Sequence, residues 1–290
     1  MSGFLARSIL LGVLFTLSSP LAHAQLEHGT IVVFIVSKDR VVIAADSRSV
    51  SSQSGRLPTD DACKITALGT RLLFAEAGIS DEGHTLLANR NWSVQQEALA
   101  AFAKFQKSRK HLDAVEQVSR DWLTAMKWIY RRSLKQYGQD ILRHPSNVLT
   151  QSRFLGINEA GKIEGRWIDI VFDRTQLEAG KVVVKIRDKP WEMPVQPLVV
   201  TMGNAEVVLS FLRKSGDYGH SALEHWLAGN PAPPGDINLA AAKFLVEYAE
   251  DNSPPADGIG GPIDEVEMLP GQGVQWVNRK PGCPADSSAK

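Results

Sequence analysis

Residues 30–36 form a short apolar run, mostly of β-branched residues, that reads Thr-Ile-Val-Val-Phe-Ile-Val. A polar turn from Ser37 to Arg40 separates it from a second apolar run, which ends at Asp46. Short apolar runs without polar alternation are typical of strands that are buried on both faces. The sequence therefore predicts a hairpin whose two strands must both be covered by other layers of the fold.

The hydrophobic pattern changes several times after this hairpin. A second hairpin is predicted between Lys64 and Gly78, and two long helices follow between residues 80 and 137. Strand patterns return between residues 154 and 202, two helices follow between 205 and 251, and a last strand is predicted at 263–269. Two stacked sheets with a pair of helices outside each would cover every strand. We therefore predict an α+β fold, in the form of a four-layer αββα sandwich of two antiparallel sheets between helix pairs.

The first 24 residues have the parts of a secretory signal peptide. Arg7 supplies a positive charge, Ile9 to Leu17 is mainly apolar, and Ala22-His23-Ala24 is a small-x-small cleavage site. The apolar stretch is too short to cross a bilayer as a helix, so the pattern favours secretion over anchoring. We expect cleavage after Ala24 and a secreted or periplasmic protein that has no membrane association after signal cleavage.

Charge and cysteine content exclude several classes of protein. The 290 residues include 32 Lys and Arg against 32 Asp and Glu, which argues against electrostatic binding of nucleic acid. Cys63 and Cys283 are too few for a disulfide-dense scaffold or a four-cysteine zinc site. In an oxidising compartment they allow one disulfide, and the sequence leaves open whether it forms. Because the seven histidines include no His-Glu-x-x-His pair, we expect no catalytic metal and no cofactor.

Chemically useful groups stand at the ends of the predicted strands. Thr30 opens the first strand, and Asp46 follows the second. Lys64 opens the third strand, and Gly78 ends the fourth. Hairpin pairing would bring these ends to one edge and gather a hydroxyl, a carboxylate, an ammonium group and a backbone N–H. Each residue alone also fits a structural role, such as a strand threonine or a turn aspartate.

The segment from Gly29 to Gly78 resembles the start of a proteasome β-type subunit, which belongs to the N-terminal-nucleophile (Ntn) hydrolase superfamily. The shared features are Gly29-Thr30 before a strand, the block Ala44-Ala45-Asp46-Ser47-Arg48, Lys64 at the start of the third strand, and Ala77-Gly78 after the fourth. The intervals within each hairpin match the family, whereas the loop before Lys64 is slightly longer. The resemblance extends more weakly to about Leu269. It implies an Ntn-hydrolase domain at residues 30–270, followed by a C-terminal tail at 271–290.

The resemblance implies a catalytic role for each residue at these strand ends. Thr30 would attack a carbonyl with its hydroxyl, while its own α-amine takes the proton. The charge of Lys64 would lower the pKa of both groups, and Asp46 would hold Lys64 in place. The Gly78 N–H would donate to the oxyanion. The resemblance therefore implies a threonine-type peptidase or other amidohydrolase that works through an acyl-enzyme.

The residues expected to support the Thr30 amine depart in part from the family pattern. Asp257 matches the family's supporting aspartate. Asn204 stands where the family has a serine, and its side chain can still hydrogen-bond the amine. Gly260 aligns with a second supporting serine and offers no side chain for this purpose.

The resemblance also places Glu76 and Ser49 in the pocket for the side chain that precedes the cut bond. Alternation puts Glu76 on the same strand face as Leu72 and Phe74, and a carboxylate on a largely apolar face requires a reason. One interpretation is a preference for Lys or Arg in the substrate. The other is that Glu76 pairs with Lys64 or faces solvent.

Activity requires a free α-amine on Thr30. Signal cleavage would leave residues 25–29 as a short propeptide, so the hypothesis requires scission between Gly29 and Thr30. The threonine hydroxyl can attack the preceding carbonyl, and glycine tolerates the strained approach. If this bond stays intact, the alternative is a catalytically silent, proteasome-like assembly subunit. A small-molecule amidase with the same nucleophile is a third hypothesis, and a homo-oligomer, as a ring or a smaller assembly, remains open.

Overall fold

The computed structural model of the protein describes residues 30–49, 59–79, 93–108, 113–142, 146–214, 228 and 236–283. Ten β-strands and five α-helices lie within these ranges. The predicted signal peptide and propeptide, with Ala24 and Gly29, lie outside them. No helix in the described ranges is both long enough and apolar enough to cross a membrane.

Within the described ranges, ten strands form two sheets. They are β1 (Ile31–Ser37), β2 (Arg40–Ala45), β3 (Ile65–Ala67), β4 (Leu72–Gly78), β5 (Val148–Ile157), β6 (Ile163–Phe172), β7 (Val184–Trp191), β8 (Leu198–Gly203), β9 (Asp264–Leu269) and β10 (Gly273–Asn278). The first sheet has the order β10-β9-β2-β1-β8, and the second has the order β3-β4-β5-β6-β7. All neighbouring strands are antiparallel.

Five helices cover the outer faces of the sheets or connect their strands. They are α1 (Val94–Lys107), α2 (Ala114–Ile141), α3 (Arg174–Glu178), α4 (Glu206–Lys214) and α5 (Ile237–Asn252). The predicted helix pattern that begins at residue 80 is described only from Ser93, whose hydroxyl accepts a hydrogen bond from the Gln96 N–H and caps α1.

The strand β1 is buried on both faces, which confirms the prediction made from its sequence. Ile31, Val33 and Ile35 belong to a core cluster that they share with α4 and α5. Val32 and Phe34 instead belong to a cluster formed between the two sheets. Successive side chains of a strand point to opposite faces, so this one run of apolar residues supplies both cores.

The second sheet packs against the helix pair α1 and α2 through an aromatic cluster. Trp122 of α2 lies 5.7 Å from Phe74 and 5.5 Å from Phe154 between ring centroids. Its indole N–H donates to the carbonyl oxygen of Val94 in α1 at 3.1 Å, so the buried polar group is satisfied. The structure therefore shows an α+β fold with two antiparallel sheets, stacked on each other and flanked by helices.

The C-terminal residues differ from the sequence prediction, which assigned everything after residue 270 to a tail. Residues 273–278 instead form β10, an edge strand that pairs with β9. Val274 and Trp276 of β10 pack partly buried against the core between the sheets. The prediction was wrong here because the apolar residues of this strand are only partly buried and glycines stand before and at its start.

Candidate active site

Antiparallel pairing brings three predicted site residues together at one edge of the first sheet. Strand β1 begins where β2 and β8 end, so Thr30, Asp46 and Asn204 lie at neighbouring strand ends. The Asn204 N–H donates to the Thr30 carbonyl oxygen at 2.7 Å, and the Asp46 N–H donates to that of Ile31 at 3.2 Å. Thr30 itself is buried. These hydrogen bonds hold the backbone of Thr30 and Ile31 between the ends of β2 and β8.

The carboxylate of Asp46 is the centre of the site. Its Oδ1 accepts hydrogen bonds from Lys64 Nζ at 2.6 Å and from the Ile31 N–H at 2.8 Å. Its Oδ2 accepts one from the Gly260 N–H at 3.1 Å. The side chains of Lys64 and Asp46 are 5% and 0% exposed, so this is a buried ion pair. Since Lys64 precedes β3, the pair also joins the edges of the two sheets.

Burial and charge act in opposite directions on both members of this pair. Burial raises the pKa of Asp46, whereas the Lys64 ammonium and the Ile31 and Gly260 N–H groups oppose that rise. Burial lowers the pKa of Lys64, and the charge of Asp46 opposes that change. Asp46 thus opposes the loss of the Lys64 charge that burial favours.

Gly203, the last residue of β8, allows the close approach of Thr30. Its φ is +82°, and a Cβ at this position would overlap the carbonyl oxygen of Thr30. Its N–H donates to Gln151 Oε1 at 2.9 Å. Gln151 belongs to β5 of the second sheet, so it forms another bridge between the sheets at the site. No sequence pattern singles out Gln151, because a glutamine within a strand has many ordinary roles.

The structure gives a steric reason for the glycine at position 260. A Cβ on Gly260 would lie 2.6 Å from Nη1 of Arg48, so a larger residue would displace that guanidinium. Arg48 is held in turn by two hydrogen bonds to Asp60, at 2.8 and 3.2 Å. The Gly260 carbonyl accepts hydrogen bonds from the Ser47 and Arg48 N–H groups. Gly260 therefore contributes through its backbone.

Asp257 is not joined to Thr30 in the part of the chain that the structure describes. It ends a 3-10 helix at Pro255–Asp257, and its N–H donates to the Pro254 carbonyl at 2.9 Å. No hydrogen bond or ion pair of its carboxylate lies within the described ranges, and its predicted role beside a free Thr30 amine stays a prediction. The segment that contains Asp257 contacts the site through the N–H of Gly260, which donates to Asp46.

Gly78 ends β4 at the same edge of the second sheet at which Lys64 opens β3. Its φ is +118°, and a Cβ would lie 2.7 Å from the Leu149 carbonyl oxygen. Both facts require glycine here. The described residues show no hydrogen bond between Gly78 and Thr30, and the role of the Gly78 N–H as an oxyanion donor stays a prediction.

The two predicted pocket residues occupy different environments. Glu76 is 5% exposed, and its charge raises the pKa of Lys64. Its N–H donates to the Lys64 carbonyl oxygen at 3.0 Å, so the two residues are neighbours across β3 and β4. Ser49 is half-buried and forms an isolated bridge with Thr59 in the loop that follows Asp46. The geometry thus links Glu76 closely to the site.

A disulfide joins Cys63 and Cys283, a pairing that the sequence left open. Their Cα atoms are 5.6 Å apart, and 220 positions separate them in the chain. Cys63 directly precedes Lys64, so the bond attaches the C-terminal segment to the residue beside the site lysine.

Sequence reasoning missed one further acid near Asp46. Burial raises the pKa of Glu250, in α5, to about 7, and the charges of Asp46 and Glu247 add to this effect. Arg48 opposes it. A glutamate within an amphipathic helix carries no sequence signal for such a position.

The site contains a hydroxyl, a buried lysine and a buried carboxylate, which suit acyl transfer. The described ranges hold no group of three or more His, Cys, Asp or Glu side chains that would bind a metal ion. A comparison of the chain with protein-family models finds no match, and no curated protein matches it.

Proposed function

We propose that the protein is a threonine-type peptidase or amidohydrolase with the Ntn-hydrolase fold, in which Thr30 is the nucleophile. The observation that carries the proposal is the buried ion pair between Lys64 and Asp46 beside Thr30. Burying two charges gives little net stability, because desolvation offsets most of their attraction. A buried lysine, paired with an aspartate that binds the N–H of the residue after Thr30, instead suits stabilisation of a negative charge that develops at Thr30.

The proposed reaction begins after scission of the Gly29–Thr30 bond. The new α-amine, with an ordinary pKa of about 7.7–8.0, accepts the hydroxyl proton as Oγ attacks the substrate carbonyl. Lys64 stabilises the developing negative charge on Oγ, and the Gly78 N–H donates to the oxyanion. The C–N bond then breaks, and the proton passes to the leaving amine. Water hydrolyses the ester on Thr30 and regenerates the free hydroxyl.

The proposed substrate has Lys or Arg before the cut bond. Glu76 supports this through its buried carboxylate, whereas its action on the Lys64 charge fits the alternative in which Glu76 pairs with Lys64. Fluorogenic peptides that carry Lys, Arg or Leu at this position test it. We expect the basic peptides to be cleaved faster, and Glu76→Gln to remove the difference. Equal rates in the unmodified protein would contradict a basic preference.

The decisive experiment is the intact mass of the purified protein, expressed with its leader into an oxidising periplasm. We expect a chain that starts at Thr30 and is labelled there by an electrophilic threonine-protease inhibitor. Thr30→Ala should remain unprocessed and unlabelled. The matched control is Thr124→Ala, which removes a helical hydroxyl bonded to the Arg120 carbonyl and should behave as the unmodified protein.

The same experiment distinguishes the alternatives. A chain that starts at Gln25 after prolonged incubation and is never labelled would refute the proposal. That result would favour a catalytically silent, proteasome-like assembly subunit. Labelling at Thr30 combined with hydrolysis of small amides, but not of peptides, would identify a small-molecule amidase.

A further inference from the structure

A second buried lysine–aspartate pair lies beside the first. Lys280 is 4% exposed, and its Nζ lies 3.6 Å from Oδ2 of the fully buried Asp264. Its backbone N–H donates to Asp264 Oδ1 at 2.8 Å. Asp264 opens β9 directly opposite Ala45, the residue that precedes Asp46. The two acids therefore occupy neighbouring strand ends at the same edge of the first sheet.

Lys280 is attached to the chain segment that carries Lys64. Its Nζ donates to the carbonyl oxygen of Ala62. Cys283 is bonded to Cys63, the residue between Ala62 and Lys64. The disulfide and this hydrogen bond thus connect the C-terminal segment to residues 62–64 at two adjacent points.

The acids around the two lysines belong to several elements of the fold. Burial lowers the pKa of Lys280, while the charges of Asp264, Asp46 and Asp61 raise it. Burial also lowers the pKa of Lys64, and Lys280 lowers it further. The charges of Asp46 and Glu76 act in the opposite direction on Lys64. Asp60, in the preceding loop, interacts with both lysines.

We infer that Lys280 is a positioning residue of the Thr30 site: its contacts with Ala62 and Asp264 and the Cys63–Cys283 disulfide hold its positive charge near Lys64, on which that charge acts. The inference rests on the proposed function, because it is there that the reaction at Thr30 depends on the charge of Lys64. If Lys280 merely fastened the C-terminal segment, the titration of Lys64 would not depend on the Lys280 charge.

The test is an NMR titration of the lysine side chains in the whole protein, with the Lys64 signal identified by its loss in Lys64→Arg. In Lys280→Gln we expect the Lys64 midpoint to rise by about one pH unit, because a nearby like charge has been removed. Lys280→Arg keeps the charge and should restore the midpoint. Lys185→Gln removes a lysine that is 61% exposed, and it should leave the midpoint unchanged.

A second variant decides the question if Lys280→Gln does not fold. Cys63→Ser combined with Cys283→Ser leaves every charge in place but releases the segment that carries Lys280. We expect the same upward movement of the Lys64 midpoint. An unchanged midpoint in whichever of these variants folds would overturn the inference.

Thr30 labelling separates this inference from the proposed function. We expect the pH profile of labelling in Lys280→Gln to move upward together with the Lys64 midpoint. A shifted Lys64 midpoint without Thr30 labelling in any variant would support the coupling of the two lysines and refute the proposed function. If Thr30 is labelled but neither the pH profile of labelling nor the Lys64 midpoint moves in Lys280→Gln, the coupling of the two lysines is refuted and the proposed function is supported.

Discussion

Asp46→Asn tests the buried ion pair most directly. The substitution keeps the side-chain shape and an oxygen for the Ile31 N–H, but it removes the negative charge 2.6 Å from Lys64 Nζ. Breaking a buried pair typically costs about 3–5 kcal/mol, because one charge remains without water or a counter-charge. Glu76 still favours the charged form of Lys64, so we expect a loss of about 3 kcal/mol near neutral pH.

The loss should depend on pH with a defined sign. Burial holds the pKa of folded Lys64 below its ordinary value of 10.5, and removal of Asp46 lowers it further. Between the folded pKa and 10.5 the unfolded chain binds one more proton, so stability rises with pH. The slope approaches about 1.4 kcal/mol per pH unit for one group. The deficit of Asp46→Asn should therefore be largest near neutral pH and shrink toward pH 10.

Chemical unfolding of both proteins from pH 6 to pH 10 measures this deficit. Both cysteines of the chain are bonded, so thiol exchange does not complicate alkaline samples. Asp173→Asn is the matched control, because Asp173 binds Lys185 at 2.7 Å on the surface and Asn preserves its helix cap. Its effect should be small and independent of pH. Equal deficits in the two variants, or a constant deficit for Asp46→Asn, would refute the reasoning.

The remaining predictions concern backbone fit, the disulfide and titration. Gly203→Ala should abolish inhibitor labelling because its Cβ would overlap a backbone carbonyl, whereas Gly161→Ala, at φ +72° with open space around it, should leave labelling intact. Cys63→Ser with Cys283→Ser should lower the free energy of unfolding by roughly 2–5 kcal/mol, since the bond closes a loop spanning 220 positions; an unchanged unfolding midpoint would contradict this. The folded state binds the Glu250 proton more tightly than the unfolded state, so stability should fall between pH 4.5 and about 7. Glu250→Gln should remove part of that decline, and an identical pH curve would refute it.

The strands that the sequence predicts correctly are those whose hydrophobic pattern identifies them without knowledge of their neighbours in the sheet. The uninterrupted apolar run after Thr30 required two buried faces, and the two cores that share β1 satisfy it. The edge strand β10 escaped prediction because its burial alternates weakly and it forms only by pairing with β9. The local hydrophobic pattern therefore predicts strands that are strongly buried, whereas a strand such as β10 depends on pairing with its neighbour in the sheet.

The predictable part of the site follows from antiparallel geometry. In an antiparallel hairpin, the start of the first strand lies beside the end of the second. Thr30 and Asp46 therefore lie at one end of the first sheet, and Lys64 and Gly78 lie at one end of the second. The intervening loop does not change which ends meet within each hairpin. Its extra length is thus compatible with the Lys64–Asp46 contact.

The parts of the site that the sequence does not predict are backbone groups and residues from distant parts of the chain. Two of the three hydrogen bonds to the Asp46 carboxylate come from backbone N–H groups, of Ile31 and Gly260, and only the third comes from a side chain that sequence can identify. A residue type does not reveal a backbone donor, so the sequence does not show that Gly260, where the resemblance implies a serine, donates its N–H to Asp46. Because Asp46 has three donors, the replacement leaves its carboxylate satisfied. If Thr30 acts as proposed, an effect of this glycine should therefore arise at the Thr30 amine, where the serine hydroxyl would have acted, and not through the position of Lys64.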